Sequence, residues 1–147
     1  KETLYQKALA AYAERIGPLF AAALDDESDV RRALRNLYRT ALDAYVSEDG
    51  EVVGCMVACT AVTEAVRNGA IRRQAKSIFE DVDQILERRI ARAIAEKQLA
   101  KGTDARALAR IATAMLHSLA VRSRSGTSRK ILDQLAEDAV SLIMPRR

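Results

Sequence analysis

Few side chains in this sequence combine the residue type and the spacing that chemistry requires. Cys55 and Cys59 are the two cysteines and are four residues apart, so on a helix they would share one face. Helical Cβ directions suit a disulfide poorly, and a zinc site needs more ligands than these two, while the single histidine, His117, is distant in sequence. We therefore interpret both cysteines as buried free thiols and expect neither a metal site nor a cofactor.

Candidates for acid–base chemistry are equally few. Glu64 is the one acid within an otherwise apolar predicted helix, where it would meet a cationic ligand or an internal arginine, or else lie at an exposed edge. His117 lies on a helix that we expect to form a dimer contact, and there an interface histidine is more common than a ligand or a pH switch. The sequence contains no H-E-x-x-H motif and no glycine-rich phosphate loop. We predict that the protein is not an enzyme.

The composition is that of a helical globular protein. Of 147 residues, 49% are hydrophobic and 30% are charged, with six glycines and two prolines, and good helix formers dominate. The net charge is +4, and the basic residues are spread among acidic ones along the chain. This distribution indicates solvated helix faces rather than a nucleic-acid site. No apolar run approaches the roughly 20 residues of a membrane helix, and the N-terminus does not resemble a signal peptide. We expect a cytoplasmic protein with no membrane partner.

Apolar periodicity predicts six helices and no strand. We expect a kink or a division of the first helix at Gly17-Pro18, a cap at Ser28 for the second, and Gly102 as the end of the fourth. The third predicted helix is apolar almost all round and should therefore be central and buried. The expected spans are 2–25, 28–47, 53–68, 70–101, 104–124 and 128–144.

The last two predicted helices carry more apolar surface than one chain can bury. A symmetric homodimer would bury it by combining two helices from each chain in a four-helix bundle. The residues expected at this contact are Leu108, Met115, Leu119, Leu135, Ala139 and Leu142.

Several segments resemble TetR-type transcriptional repressors. KETLY, at residues 1–5, is similar to the junction between the DNA-binding domain of these repressors and their fourth helix. GCMVA, at residues 54–58, resembles the Gly-Cys-hydrophobic opening of their sixth helix, and residues 93–119 and 128–144 resemble their last three helices. The ordered series of six helices extends the resemblance over nearly the whole chain.

The resemblance implies that residues 1–147 are a regulatory and dimerisation domain. The helix-turn-helix is then missing upstream of Lys1, and operator DNA is bound only through that missing domain. It also implies a repressor controlled by a small apolar molecule, held between the first four helices with tyrosine hydroxyls and Thr60 or Thr63 as polar contacts. The expected lining residues are Tyr12, Phe20, Tyr38, Cys59, Thr63, Phe79 and Val82. The alternative is a helical protein-interaction module unrelated to transcription.

Overall fold

Six helical segments form the part of the chain that the computed structural model describes, residues 2–47 and 50–145. Within these residues the only β-type pairing is one isolated bridge between Val46 and Val52, so the prediction of an all-helical fold is confirmed. Lys1, part of the segment that resembles the repressor junction, lies outside the described residues. The helices are α1 (Glu2–Asp25), α2 (Val30–Ala44), a π-helical turn π1 (Val57–Ala61) that continues as α3 (Val62–Glu64), α4 (Gly69–Ala95), α5 (Ala105–Arg124) and α6 (Arg129–Ile143).

α2 is the central helix of the fold. It packs against α1, α4, α5 and α6, and one whole side of it is buried. Asp29 caps its N-terminus, because the Asp29 carboxylate accepts a hydrogen bond from the Arg32 amide at 2.8 Å. The prediction of a Ser28 cap was wrong by one residue. Ser28 lies in the turn that precedes α2. Its carbonyl accepts hydrogen bonds from α4 and from the segment that follows α4.

The third predicted helix differs most from expectation. It is shorter than residues 53–68, and its residues Val62 and Val66 are exposed, the latter by 73%. Burial is confined to one stripe, formed by Val57, Ala61 and Ala65. The prediction of a central, buried helix was therefore wrong, because an apolar composition does not require every face to be covered within one chain.

Gly54 determines how the chain enters π1. Its φ of +67° lies in the left-handed region that favours glycine. A Cβ at this position would lie 3.0 Å from the Cys59 sulfur and 3.1 Å from the Ala120 carbonyl oxygen. The absence of a side chain at Gly54 therefore allows the segment to pack closely against α5.

α1 remains one helix through Gly17-Pro18, so the helix is not divided there. Buried residues on both sides of the proline, Ile16 and Phe20, pack into the same core. Pro18 has no amide hydrogen, so one hydrogen bond of the helix is missing at this point.

α4 ends earlier than predicted, at Ala95 rather than near Gly102. Lys97 takes the left-handed conformation with φ +62°, and the amide of Gln98 then donates to the Ala93 carbonyl at 2.8 Å. A left-handed residue just beyond the last turn is a common helix stop, although glycine usually provides it.

A buried arginine fastens the α1–α2 turn to α4. The Arg89 guanidinium donates to the carbonyls of Leu24 (2.9 Å), Glu27 (3.1 Å) and Ser28 (2.9 Å). Gln98 adds to this anchor by accepting from the Val30 amide at 2.7 Å. The last turn of α1 and the turn that follows it are thus held by several hydrogen bonds.

Candidate functional site

A partly enclosed cavity of about 140 Å³ lies between α1, α4, α5 and the start of π1. Most of its wall is apolar. The residues that line it are Tyr12, Ala13, Ile16, Gly17, Phe20, Tyr45, Cys55, Val57, Ile78, Phe79, Asp81, Val82, Ile85, Leu116 and His117.

One wall of the cavity is a stripe of α1. Tyr12, Ile16 and Phe20 follow one another at four-residue spacing, so they lie on the same helix face. Ile16 and Phe20 are buried, whereas Tyr12 is partly exposed and has the Arg15 guanidinium 5.8 Å from its ring centre. Burial raises the pKa of Tyr12, with a further contribution from nearby Cys55, so its hydroxyl stays protonated.

The opposite wall includes an aromatic pair from two helices. The rings of Phe79 on α4 and His117 on α5 have centroids 4.4 Å apart and planes inclined by 48°. Burial lowers the pKa of His117, and the nearby Asp83 carboxylate opposes this shift. We expected His117 at a dimer contact, but its ring faces the cavity.

Tyr45 and Cys55 complete the wall of the cavity, and neither is among the site residues expected from the sequence. The Tyr45 hydroxyl donates to the Leu116 carbonyl at 3.3 Å, and burial raises the Tyr45 pKa. Tyr45 directly follows α2 and Cys55 follows the turn, so they come together only through the loop between them. A signal was present in the position of Tyr45 on the apolar stripe of α2.

The structure places four of the seven expected lining residues on the cavity, Tyr12, Phe20, Phe79 and Val82. The other three lie elsewhere, which corrects the expected lining. Tyr38 is completely buried in the core and its hydroxyl donates to the Ala112 carbonyl at 3.2 Å, since α2 turns this residue toward α5.

Cys59 and Thr63 line a separate shallow groove beside Val121 and Arg124, because the one-sided burial of π1 and α3 turns them outward. Thr60 also makes no contact with the cavity. Its hydroxyl accepts a hydrogen bond from Tyr5 at 3.1 Å. Glu64 is exposed, in agreement with the interpretation that it lies at an exposed edge of its helix.

The expected dimer residues divide between two faces of α5 and α6. Leu119 and Ala139 are buried in the core of their own chain, so they do not lie on an outer surface, which corrects their assignment. Leu108, Met115 and Leu135 are partly buried against the same core. Leu142 is 83% exposed, and three residues that are not among the expected ones are also exposed: Ile111, Val121 and Ile131.

Comparison with known proteins identifies the class of this domain. The profile of the family described as "Tetracyclin repressor-like, C-terminal domain" matches residues 30–138, which is well over half of the chain. The chain therefore belongs to this family and is part of a TetR-family transcriptional regulator, as the resemblance indicated. Membership argues against an interaction module unrelated to transcription. No curated protein matches the sequence.

Two similar solved structures are cysteine variants of the TetR family transcriptional regulator CifR, complexed with 26-base-pair double-strand operator DNA. The first is 27% identical, covers 95% of this chain and 72% of that chain, and has a TM-score of 0.85. The second is 26% identical with the same coverage and a TM-score of 0.85.

Among the described residues of this chain, no helix has the length and apolar character needed to cross a membrane.

Proposed function

We propose that this chain is the ligand-binding and dimerisation domain of a repressor whose DNA affinity is changed by a small apolar molecule. The observation that carries the proposal is the apolar cavity, because the stripe of α1 from Tyr12 to Phe20 forms one of its walls. In the complete regulator, α1 would lead to the DNA-binding domain. A molecule in the cavity would therefore touch the element that must respond to it.

The attachment of α1 at both ends, on either side of the cavity, supports this mechanism. Its C-terminal end is held by Arg89, whereas its first turns are held by the hydrogen bonds from Tyr5 to Thr60 and from Gln74 to the Gln6 carbonyl, at 3.1 and 3.0 Å. Pro18 removes a helical hydrogen bond at the level of the cavity. A bound molecule would then displace the N-terminal part of α1 relative to the end that Arg89 holds.

The proposal includes a homodimer through the outer faces of α5 and α6. The exposed apolar residues Ile111, Val121, Ile131 and Leu142 would be covered by a second copy. Each copy would carry one DNA-binding domain, and DNA half-sites have a fixed spacing. A ligand that shifts both α1 helices would change the separation of these domains and lower operator affinity. CifR, a relative, is complexed with operator DNA, which supports DNA as the partner of the complete regulator.

The test measures DNA binding by the complete regulator on a site selected in vitro from random sequences. A thermal-shift screen of this chain would supply the compound, and at a hundredfold its Kd the compound should add about 2.7 kcal/mol of stability. We expect the same concentration to lower DNA affinity at least tenfold, as measured by fluorescence anisotropy. Unchanged DNA affinity with the compound bound would contradict the proposal.

A pair of glycine variants provides the control. A Cβ at Gly17 meets no atom within 4 Å, and Gly17 lines the cavity, so leucine there should fill it. A Cβ at Gly102 also meets no atom within 4 Å but lies outside the cavity. We expect Gly17→Leu to bind DNA without responding to the compound and Gly102→Leu to respond normally.

A further inference from the structure

We propose that the ligand is an uncharged compound with a single aromatic ring and one hydrogen-bond acceptor, of the size and chemistry of phenol, and that Tyr12 selects it. This inference rests on the proposed function and specifies the molecule to which the domain responds. Four properties of the cavity carry it: volume, ring surfaces, charge and one hydroxyl group.

The volume limits the ligand to one ring. The cavity measures about 140 Å³. An apolar protein cavity of about 150 Å³ is known to hold benzene. A molecule with two fused rings would have to displace the wall or extend out of the partly enclosed cavity.

The wall offers ring surfaces from three helices. Phe20 comes from α1, Phe79 from α4 and His117 from α5. Aromatic rings prefer offset or edge-to-face contacts with one another, and the inclined Phe79–His117 pair already shows such an arrangement. A planar ring between these side chains can make the same contacts.

The charge of the wall favours a neutral ligand. Burial lowers the pKa of His117, so its ring carries no charge near neutral pH. The ionisable groups at Asp81 and Arg15 belong to exposed residues, so they lie at the edge of the site. An anionic ligand would lose its hydration, would approach the Asp83 carboxylate near His117 and would gain no cationic partner inside.

The Tyr12 hydroxyl is a buried polar group on the wall that has no hydrogen-bond partner among the described residues, so a ligand can use it. It is buried beside the Cys55 thiol and the Met56 backbone and makes no hydrogen bond of normal geometry among the described residues. The hydroxyl of Tyr45, the other phenol on the wall, already donates to the Leu116 carbonyl. Because burial raises its pKa, Tyr12 remains a donor and calls for an acceptor on the ligand.

The test compares phenol with toluene, which has nearly the same shape but no acceptor. Isothermal titration calorimetry on this chain gives the ratio of the two Kd values. In Tyr12→Phe we expect the ratio to shift about tenfold toward toluene, the effect of one buried hydrogen bond. Tyr38→Phe removes a buried hydroxyl outside the cavity and should leave the ratio unchanged. An unchanged ratio in Tyr12→Phe, or an equal shift in Tyr38→Phe, would overturn the role of Tyr12.

Two further compounds test size and charge. We expect 2-naphthol and benzoate each to bind at least tenfold more weakly than phenol, and equal or tighter binding of either would overturn the corresponding limit. DNA binding by the complete regulator separates the two proposals. Phenol that binds without changing DNA affinity refutes the proposed function but not the ligand class. A larger or charged compound that releases DNA refutes the ligand class but not the function.

Discussion

At the scale of single residues, His117 links the cavity to pH. It is the one histidine of the chain, and burial lowers its pKa below the ordinary value of 6.5 despite the neighbouring Asp83. The unfolded chain therefore binds a proton more readily than the folded chain just below pH 6.5. The stability that neutral His117 provides is fully present above pH 6.5 and is lost as the pH falls toward the folded pKa.

We predict that the free energy of unfolding falls more between about pH 7.5 and about pH 5 in the wild type than in His117→Gln. Urea titrations of both proteins at each pH measure this difference. Carboxylate groups distant from His117 titrate in the same way in both proteins, so their effects cancel in the comparison. Parallel pH profiles for the two proteins would show that His117 is not desolvated in the folded state.

At the scale of elements, the anchor of α1 is the contact on which the proposed movement depends. Arg89 satisfies three carbonyl groups at the end of α1 and in the turn that follows. We predict that Arg89→Ala lowers the free energy of unfolding by about 3 kcal/mol, because these buried carbonyls lose charged donors. Urea denaturation monitored by circular dichroism measures the loss.

Arg92→Ala is the matched control for this anchor. Arg92 is on the same helix and pairs with Asp25 at 3.2 Å, but both side chains are largely exposed. Exposed ion pairs contribute at most about 1 kcal/mol, so we expect a loss no larger than that. Equal losses in the two variants would mean that Arg89 is no more important than a surface residue.

The sequence predicts the existence of the helices better than their ends. The apolar repeats of α1, α2, α5 and α6 are strong, and the structure has a helix at each. The end of α4 could not be predicted, because a lysine, Lys97, takes the left-handed position where glycine would have marked it. The late start of the third helix follows the left-handed Gly54 that packs closely against α5, a tertiary contact.

The lining of the cavity could likewise be predicted only in part, because some of its residues meet through tertiary contacts. Tyr12 and Phe20 repeat at helical spacing, so their common face can be read from the sequence. His117, Tyr45 and Cys55 meet them only because α5, the end of α2 and the turn before π1 pack together. Periodicity identifies an apolar stripe but does not say which neighbour each part of it faces.

At the scale of the whole molecule, the prediction of the dimer contact has the same ambiguity, because an apolar stripe does not show which neighbour it faces. α5 and α6 each have an apolar stripe wide enough to face both the core and the outside. Leu119 and Ala139 lie on the inner side, whereas Ile111 is 53% exposed and Leu142 is 83% exposed. A second copy is therefore expected to contact the side that carries Ile111 and Leu142.

We predict that Ile111→Glu and Leu142→Glu each convert a dimer into a folded monomer, because an unpaired charge buried at the contact costs several kcal/mol. Leu19→Glu is the control, since Leu19 is an exposed leucine on α1, away from this face. Leu119→Glu should instead unfold the chain, because Leu119 is completely buried within it. Sedimentation velocity at micromolar concentration measures the assembly, and circular dichroism distinguishes monomers from unfolded chains. A monomeric wild type, or dimers formed by both Ile111→Glu and Leu142→Glu, would show that α5 and α6 do not form the contact.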